Sequence, residues 1–189
     1  DQMVAMIARL VELGSAYVTD DGVYLSVKTV EDYGLLVNQS LDDMLAGGGE
    51  REVFGAEHKR HPADFALWKL SKPGEPSWPS PWGDGRPGWH SECVVMSLDL
   101  LGEGFDLHCG GQDLAFPHHE NERAQAVSLG RHFARALDTR THRCPGHCTR
   151  AWCRGHRACL GARPGAADSR RLRAYPAAAT SHAAGFHRR

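Results

Sequence analysis

The stretch FDLHCGGQDLAFPHHENE, residues 105–122, contains the pattern that decides the fold. Phe105–His108 predicts a short buried strand, because it is a brief apolar and aromatic run. Cys109–Gly111 predicts a tight turn at the end of that strand. A helix is expected from Pro117 to about Leu129, with Gly130 closing it. A strand, a glycine turn and a helix in succession predict an α/β fold with ligands at the strand's carboxyl end.

The N-terminal residues predict a helix followed by a β-hairpin. Apolar residues recur at helical spacing over Gln2–Leu13, and Gly14 is a natural stop. Ala16–Val18 and Val23–Val27 are rich in β-forming residues and flank Asp20-Asp21-Gly22. An Asp-Gly pair supplies the positive φ angles of a tight turn, so the two runs are expected to pair.

The middle of the chain predicts shorter and less regular elements. A short helix is expected near Leu41–Leu45, and the glycines at 47–49 predict flexibility. Residues 72–88 are dense in proline, glycine and tryptophan, which indicates an ordered loop rather than a helix or strand. Its two tryptophans favour a packed loop leading into a site over a linker. Ser91–Leu101 then predicts a helix.

Charge is distributed very unevenly along the chain. The net charge is −1, but residues 1–130 carry −12 and residues 131–189 carry +11. Such asymmetry commonly indicates a basic tail that meets nucleic acid. Neither a membrane span nor a secretion signal is recognisable, so the expected compartment is the cytoplasm. Only Cys93 and Cys109 lie in the first 130 residues, which favours reduced thiols or metal ligands over disulfides.

Three residues form a candidate metal site. His118 and Glu122 are four residues apart, which places them on one face of the predicted helix. Cys93 offers a soft thiolate at the start of another helix. Three protein ligands with one open position is the pattern of catalytic zinc. By spacing alone, a solvated helix face is the commoner setting for such a His-Glu pair. If zinc does bind, residues 119–121 would be supporting or structural.

Several longer phrases point to a family. Residues 64–69 read DFALWK, 74–78 GEPSW and 85–93 GRPGWHSEC, and the phrases at 105–114 and 116–122 follow in order. In wording and spacing the chain resembles cysteinyl-tRNA synthetases, over about residues 1–133. The resemblance implies a class I synthetase with a Rossmann-like α/β catalytic domain, here incomplete and with an inserted connective segment. It divides the chain into a connective part (1–75), a zinc- and cysteine-binding part (76–133) and a basic tail (134–189).

The resemblance also implies roles for individual residues. One zinc ion per subunit is expected on Cys93, His118 and Glu122, with a fourth cysteine ligand expected upstream of residue 1. Trp89 and His108 are expected to line the cysteine pocket. Asp113 is expected to face the substrate ammonium or the adenylate. Gly110 and Gly111 are expected to let the backbone approach the nucleotide closely. Cys109 stands where the family has glycine, which would either crowd the nucleotide or be harmless.

By the same resemblance, the parent activity is ATP-dependent adenylation of cysteine and its transfer to tRNA(Cys), with Mg²⁺ accompanying ATP and a monomeric enzyme. The family's N-terminal His-rich motif and its Lys-Met-Ser-Lys-Ser loop are absent from the sequence. No catalytic residue is therefore assigned, and the chain is expected to be inactive alone.

The tail departs from the family near Arg135. Residues 131–189 contain 13 Arg but neither Lys nor Glu, a composition expected of a GC-rich gene read out of frame. A frameshift from about residue 134, with a disordered product, is the hypothesis preferred here. The arginines could instead contact RNA phosphates. A second zinc site is the other reading, on Cys144, His147, Cys148, Cys153, His156 and Cys159.

Two other functions stay open at this point. One is the related ligase of mycothiol synthesis, which joins cysteine to a glucosaminyl-inositol and uses a similar zinc pocket. The ending HHENE at 118–122 favours the synthetase over that ligase. The other is a non-catalytic zinc-binding or RNA-binding module, which requires a genuine, folded tail.

Overall fold

The computed structural model describes residues 1–41, 43, 56–139 and 172–174. The helix expected near Leu41–Leu45 falls largely outside these residues, and the glycines at 47–49 fall wholly outside them. The longer helices are α1 (Gln2–Glu12), α2 (Trp89–Leu100) and α3 (Glu120–Ser128). The strands are β1 (Ala16–Thr19), β2 (Gly22–Leu25), β3 (Phe65–Leu70), β4 (Gly85–Pro87), β5 (Phe105–Gly110), β6 (Ala134–Thr139) and β7 (Leu172–Ala174).

The N-terminal helix and hairpin are confirmed. Helix α1 buries Ile7 and Leu10, and Gly14 follows it with φ of 75°. Strands β1 and β2 pair antiparallel, with Ala16 opposite Leu25. Gly22 is required at the turn, because its φ is 156° and a Cβ there would lie 2.1 Å from the Trp68 carbonyl oxygen.

The hairpin extends into a four-stranded antiparallel sheet in the order β1-β2-β3-β4. The prediction that residues 72–88 contain no strand is wrong at their end, because Gly85–Pro87 pairs with β3 as β4. Pro87 is tolerated since an edge strand leaves one side of its backbone unpaired. Trp82 packs on Trp68 with ring centroids 6.2 Å apart, whereas Trp78 is exposed.

The second sheet has the order β5-β6-β7 and contains a parallel pair. Strand β6 runs parallel to β5, with Phe105 opposite Ala134 and Gly110 opposite Thr139, and α3 forms the connection between them. This strand–helix–strand unit confirms the α/β class. Strand β7 pairs antiparallel with β6. Both strands fall in the segment taken as the tail, residues 134–189.

Two details of the 105–122 prediction are wrong. Strand β5 is only partly covered, with Leu107 46% exposed, because among the described residues β6 is its one strand neighbour. Cys109 and Gly110 belong to the strand rather than to a turn, since they pair with Asp138 and Thr139. The turn comes one residue later, where the Leu114 N–H donates to the Gly111 carbonyl.

The helices flanking the site differ from prediction at their starts. Helix α2 begins at Trp89, two residues before Ser91. The segment Ala115–His119 precedes α3, and its backbone is kinked at Phe116, which is extended. Gly130 closes α3 with φ of 71°, as predicted.

Helix α3 lies between two apolar clusters. Its Ala124 joins a cluster with Ile7 and Trp68, and its Ala126 joins another with Val94 and Phe133. Every residue of α3 from Glu120 to Ala126 is buried, although most of them are polar. The metal-ligand candidates on and beside this helix therefore lie inside the molecule. Over the described part of the chain, no helix has the length and apolar character needed to cross a membrane.

Candidate metal centre

Helices α2 and α3 are joined close to the candidate ligands. The Ser91 hydroxyl on α2 donates to Gln125 Oε1 on α3 at 2.8 Å, and both residues are fully buried. Val94 and Leu98 on α2 pack in one cluster with Ala126 on α3. These contacts hold the first turns of α2, which carry Cys93, against α3.

The three predicted metal ligands come together at this contact. Cys93 Sγ lies 3.7 Å from His118 Nε2, and His118 Nε2 lies 2.9 Å from Glu122 Oε1. One ligand atom from each residue lies within 4.8 Å of the other two. His118 and Glu122 are buried and Cys93 is half-buried, so the solvated-face alternative does not describe this pair.

The donor set fits a zinc ion. Glu122 Oε1 is buried and has no hydrogen-bond partner, although it faces the His118 ring nitrogen. A buried carboxylate oxygen without a partner is costly, and a cation would compensate it. Sulfur, nitrogen and oxygen donors together are a combination that zinc accepts.

Electrostatics around the three ligands favour a neutral imidazole and a protonated thiol. Burial raises the pKa of Cys93 to about 12, and the Glu122 carboxylate adds to the rise. Burial lowers the pKa of His118, while Glu122 opposes that effect. A neutral imidazole is the form that binds metal, whereas the thiol has to lose its proton to do so.

His108 reaches the same carboxylate from strand β5. Its Nε2 lies 2.6 Å from Glu122 Oε2, which fixes one carboxylate oxygen and leaves Oε1 toward Cys93 and His118. His119 lies beside it, and the donor atoms of His108, His119 and Glu122 also lie within 4.8 Å of one another. Burial lowers the pKa of His119 to about 4, and its Nδ1 has no hydrogen-bond partner. Sequence reasoning did not foresee this second group, which shares Glu122 with the first.

Trp89 and His90 cover the His118 ring. The Trp89 and His118 rings are 4.1 Å apart, and Trp89 is 60% exposed. His90 Nδ1 lies 2.7 Å from His118 Nδ1, so one ring donates to the other and His118 Nε2 stays directed toward Cys93. Sequence reasoning missed His90. The available signal was its spacing, because a residue three before Cys93 lies on the same helix face.

The remaining predicted residues lie around the end of β5. A Cβ on Gly110 would lie 2.4 Å from the His119 ring, and one on Gly111 would lie 2.4 Å from Asp113 Oδ1. Both glycines therefore allow close packing. Asp113 and Cys109 are exposed.

The fold and the site together define an α/β domain with a candidate zinc centre at the end of a parallel strand. The sequence profile described as "tRNA synthetases class I (C) catalytic domain" matches residues 1–137, and the chain belongs to this family.

Individual relatives agree. The chain is 57% identical over 136 residues to a protein named cysteine–tRNA ligase from Thermotoga petrophila, covering 71% of this chain and 29% of the relative. It is 58% identical over 127 residues to one so named from Alkalilimnicola ehrlichii, covering 67% of this chain and 27% of the relative. It is 54% identical over 127 residues to one so named from Methanococcus maripaludis, covering 67% of this chain and 26% of the relative. The chain thus spans less than a third of the length of these relatives.

Proposed function

We propose that residues 1–137 form the cysteine-recognising part of a cysteine–tRNA ligase. The convergence of Cys93, His118 and Glu122 on one buried point carries this proposal. The names of the relatives support it. Within this region we propose a connective part over residues 1–75 and a zinc- and cysteine-binding part over residues 76–133.

Cys93, His118 and Glu122 would hold one zinc ion, joined by a further ligand from outside the chain. Zinc bound there would coordinate the substrate's thiolate, for which serine's hydroxyl is a poor substitute. A pocket that relied on shape alone would separate two such similar side chains only weakly.

The other predicted residues surround this point in ways that support their proposed roles. The exposed face of Trp89 and the ring of His108 border the ligands and would form the pocket walls. The exposed carboxylate of Asp113 would attract the ammonium group of the amino acid or face the adenylate. Gly110 and Gly111 would form the backbone surface beneath the nucleotide.

The complete enzyme would adenylate cysteine with ATP and Mg²⁺ and transfer it to tRNA(Cys), as a monomer in the cytoplasm. Neither of the family's two ATP-positioning motifs occurs within these 189 residues, so this segment by itself would bind cysteine without activating it. We keep the frameshift, expected from about residue 134, as the proposal for the tail; the family match through residue 137 favours a start a few residues later. Sequencing the coding DNA tests that proposal, because another frame should restore the missing loop.

Competitive binding measurements test the proposed recognition. The zinc-loaded chain should bind cysteine much more tightly than serine, and Cys93→Ser should remove the difference. Cys109→Ser is the matched control, because Cys109 is exposed and belongs to neither ligand group. Equal binding of cysteine and serine, or selectivity that survives Cys93→Ser, would refute the proposal. ATP–pyrophosphate exchange should remain at background.

A further inference from the structure

Helix α3 buries an unusual number of polar side chains. Glu120, Asn121 and Arg123 are each at most 2% exposed, and they flank the metal-ligand candidate Glu122 in sequence. Buried polar groups are costly unless each finds a partner of suitable geometry. The partners of these three side chains show which part of the fold holds the helix in place.

All three side chains are met by one short segment, Asp32–Leu36. The Leu36 N–H donates to Glu120 Oε2 at 2.8 Å, and the Tyr33 hydroxyl donates to Asn121 Oδ1 at 2.5 Å. Arg123 forms an ion pair with Asp32 and lies 3.4 Å from Glu120. These three contacts to one segment fix the rotation of α3 about its axis as well as its distance from that segment.

Tyr33 has a second contact that concerns the other ligand. Its ring meets Phe116 edge to face, with centroids 6.4 Å apart. Phe116 is two residues before His118, and Asn121 is one residue before Glu122. Tyr33 therefore touches a sequence neighbour of each ligand, and one of these neighbours, Phe116, is the residue at which the helical backbone is interrupted.

We infer that Tyr33 is a positioning residue for the metal centre, holding the His118–Glu122 pair in register through Asn121 and Phe116, with Asp32 assisting through Arg123. This inference rests on the proposed metal site. Without the Tyr33 hydroxyl, the helix can adopt more orientations and the competent one is less populated. Apparent metal affinity falls in proportion to that population.

Cobalt(II) titration of the full chain tests the inference, because thiolate-bound cobalt has its own absorption. The signal of this site is the part lost in Cys93→Ser, which separates it from cysteines in the tail. Tyr33→Phe should weaken cobalt affinity about fivefold and alter the band, since one hydrogen bond of ordinary strength is lost. Tyr33→Leu also removes the ring contact and should weaken affinity about tenfold or more.

Tyr24→Phe is the matched control. Tyr24 is equally buried and its hydroxyl donates to Asp21 Oδ2 at 2.6 Å, but that bond lies within the hairpin and does not involve α3. Tyr24→Phe should lower the free energy of unfolding about as much as Tyr33→Phe does, but should leave the cobalt affinity and the absorption band unchanged. Asp32→Asn is the alternative test if the Tyr33 variants do not fold. This variant should fold, because Asp32 is 40% exposed and the amide oxygen of asparagine can still accept a hydrogen bond from Arg123.

The outcomes separate the two ideas. Weaker binding in Tyr33→Phe or Asp32→Asn, with Tyr24→Phe unchanged, supports the inference. If Tyr33→Phe and Tyr24→Phe both bind cobalt as the unmodified chain does, or if these two variants lose affinity equally, the inference is overturned while the metal site stands. If the unmodified chain shows no cobalt band dependent on Cys93, the proposed metal site falls and the inference falls with it.

Discussion

Cys93 Sγ lies 3.7 Å from His118 Nε2, although 25 residues separate them in sequence. The two residues belong to different structural units, one to α2 and the other to the turn before α3. Their approach depends on buried contacts between the helices, which include the hydrogen bond from Ser91 to Gln125 and the packing of Val94 with Ala126. The site is therefore a product of tertiary packing and can be tested one side chain at a time.

Cys93 should account for one metal equivalent. In cobalt titrations, Cys93→Ser should lose one equivalent with thiolate absorption, because the hydroxyl does not replace a soft sulfur donor. Cys109→Ser should match the unmodified chain, since Cys109 lies on the exposed side of β5. A loss of the same equivalent in both variants would show that the assignment to Cys93 is wrong.

Metal affinity at this site should rise with pH. The pKa of Cys93 is raised to about 12, so its thiol is protonated throughout the range from about 6.5 to 8.5. Cobalt has to displace that proton, which makes the apparent affinity increase about tenfold per pH unit. His118 contributes little there, because its pKa is lowered and it is already neutral. The site fails this expectation if the cobalt affinity assigned to Cys93 is independent of pH.

Gly110 should resist substitution although it lies at a strand end. A Cβ there would lie 2.4 Å from Cε1 and Nε2 of the buried His119 ring. Overpacking of this kind typically costs about 1–3 kcal/mol, so Gly110→Ala should lower the urea midpoint. The neighbouring Cys109→Ala should change stability by less than about 0.5 kcal/mol. Equal midpoints for the two variants would contradict the packing described.

Arg123 should matter far more for folding than an arginine on the surface. Arg123→Met removes the only cation paired with the buried Glu120 carboxylate among the described residues, although Glu120 keeps the Leu36 N–H, so the variant should cost about 3 kcal/mol in the free energy of unfolding. Arg131 pairs with Glu103 at 2.7 Å where both side chains are partly exposed. Arg131→Met should therefore cost at most about 1 kcal/mol. Urea denaturation of both variants compares them directly, and similar losses would count against the buried pair.

Local features of the fold were predictable from sequence. The Asp-Gly turn and its β-forming flanks identified the hairpin, and apolar spacing identified α1. The pair His118 and Glu122 was found because a spacing of four residues on a helix fixes their relation. Cys93 was added because its thiolate is a suitable zinc ligand, and the family resemblance then supported all three. Each of these inferences depends on neighbours within a few residues, where geometry is set by the backbone.

Apart from His90, whose spacing from Cys93 was a usable local signal, several of the errors and omissions originate in nonlocal contacts. Strand β5 is less covered than its apolar residues suggest, because coverage depends on which strands and helices lie beside it. Residues 85–87 form an edge strand because β3 offers a free side, which no local pattern reports. The contacts of Asp32 and Tyr33 with α3 span 88–91 residues, so no local pattern could reveal them.

The attachment of α3 to Asp32–Leu36 also has an evolutionary consequence. Asn121 and Arg123 are each paired with a side chain of that segment, so a change at one position leaves a buried group unsatisfied unless its partner changes too. Among relatives, positions 32 and 123 should therefore vary together, as should positions 33 and 121. By contrast, Glu120 is paired with the Leu36 backbone N–H, which any residue except proline supplies. Because Leu36 is buried, position 36 should vary only among apolar residues of similar size, without any matching change at position 120.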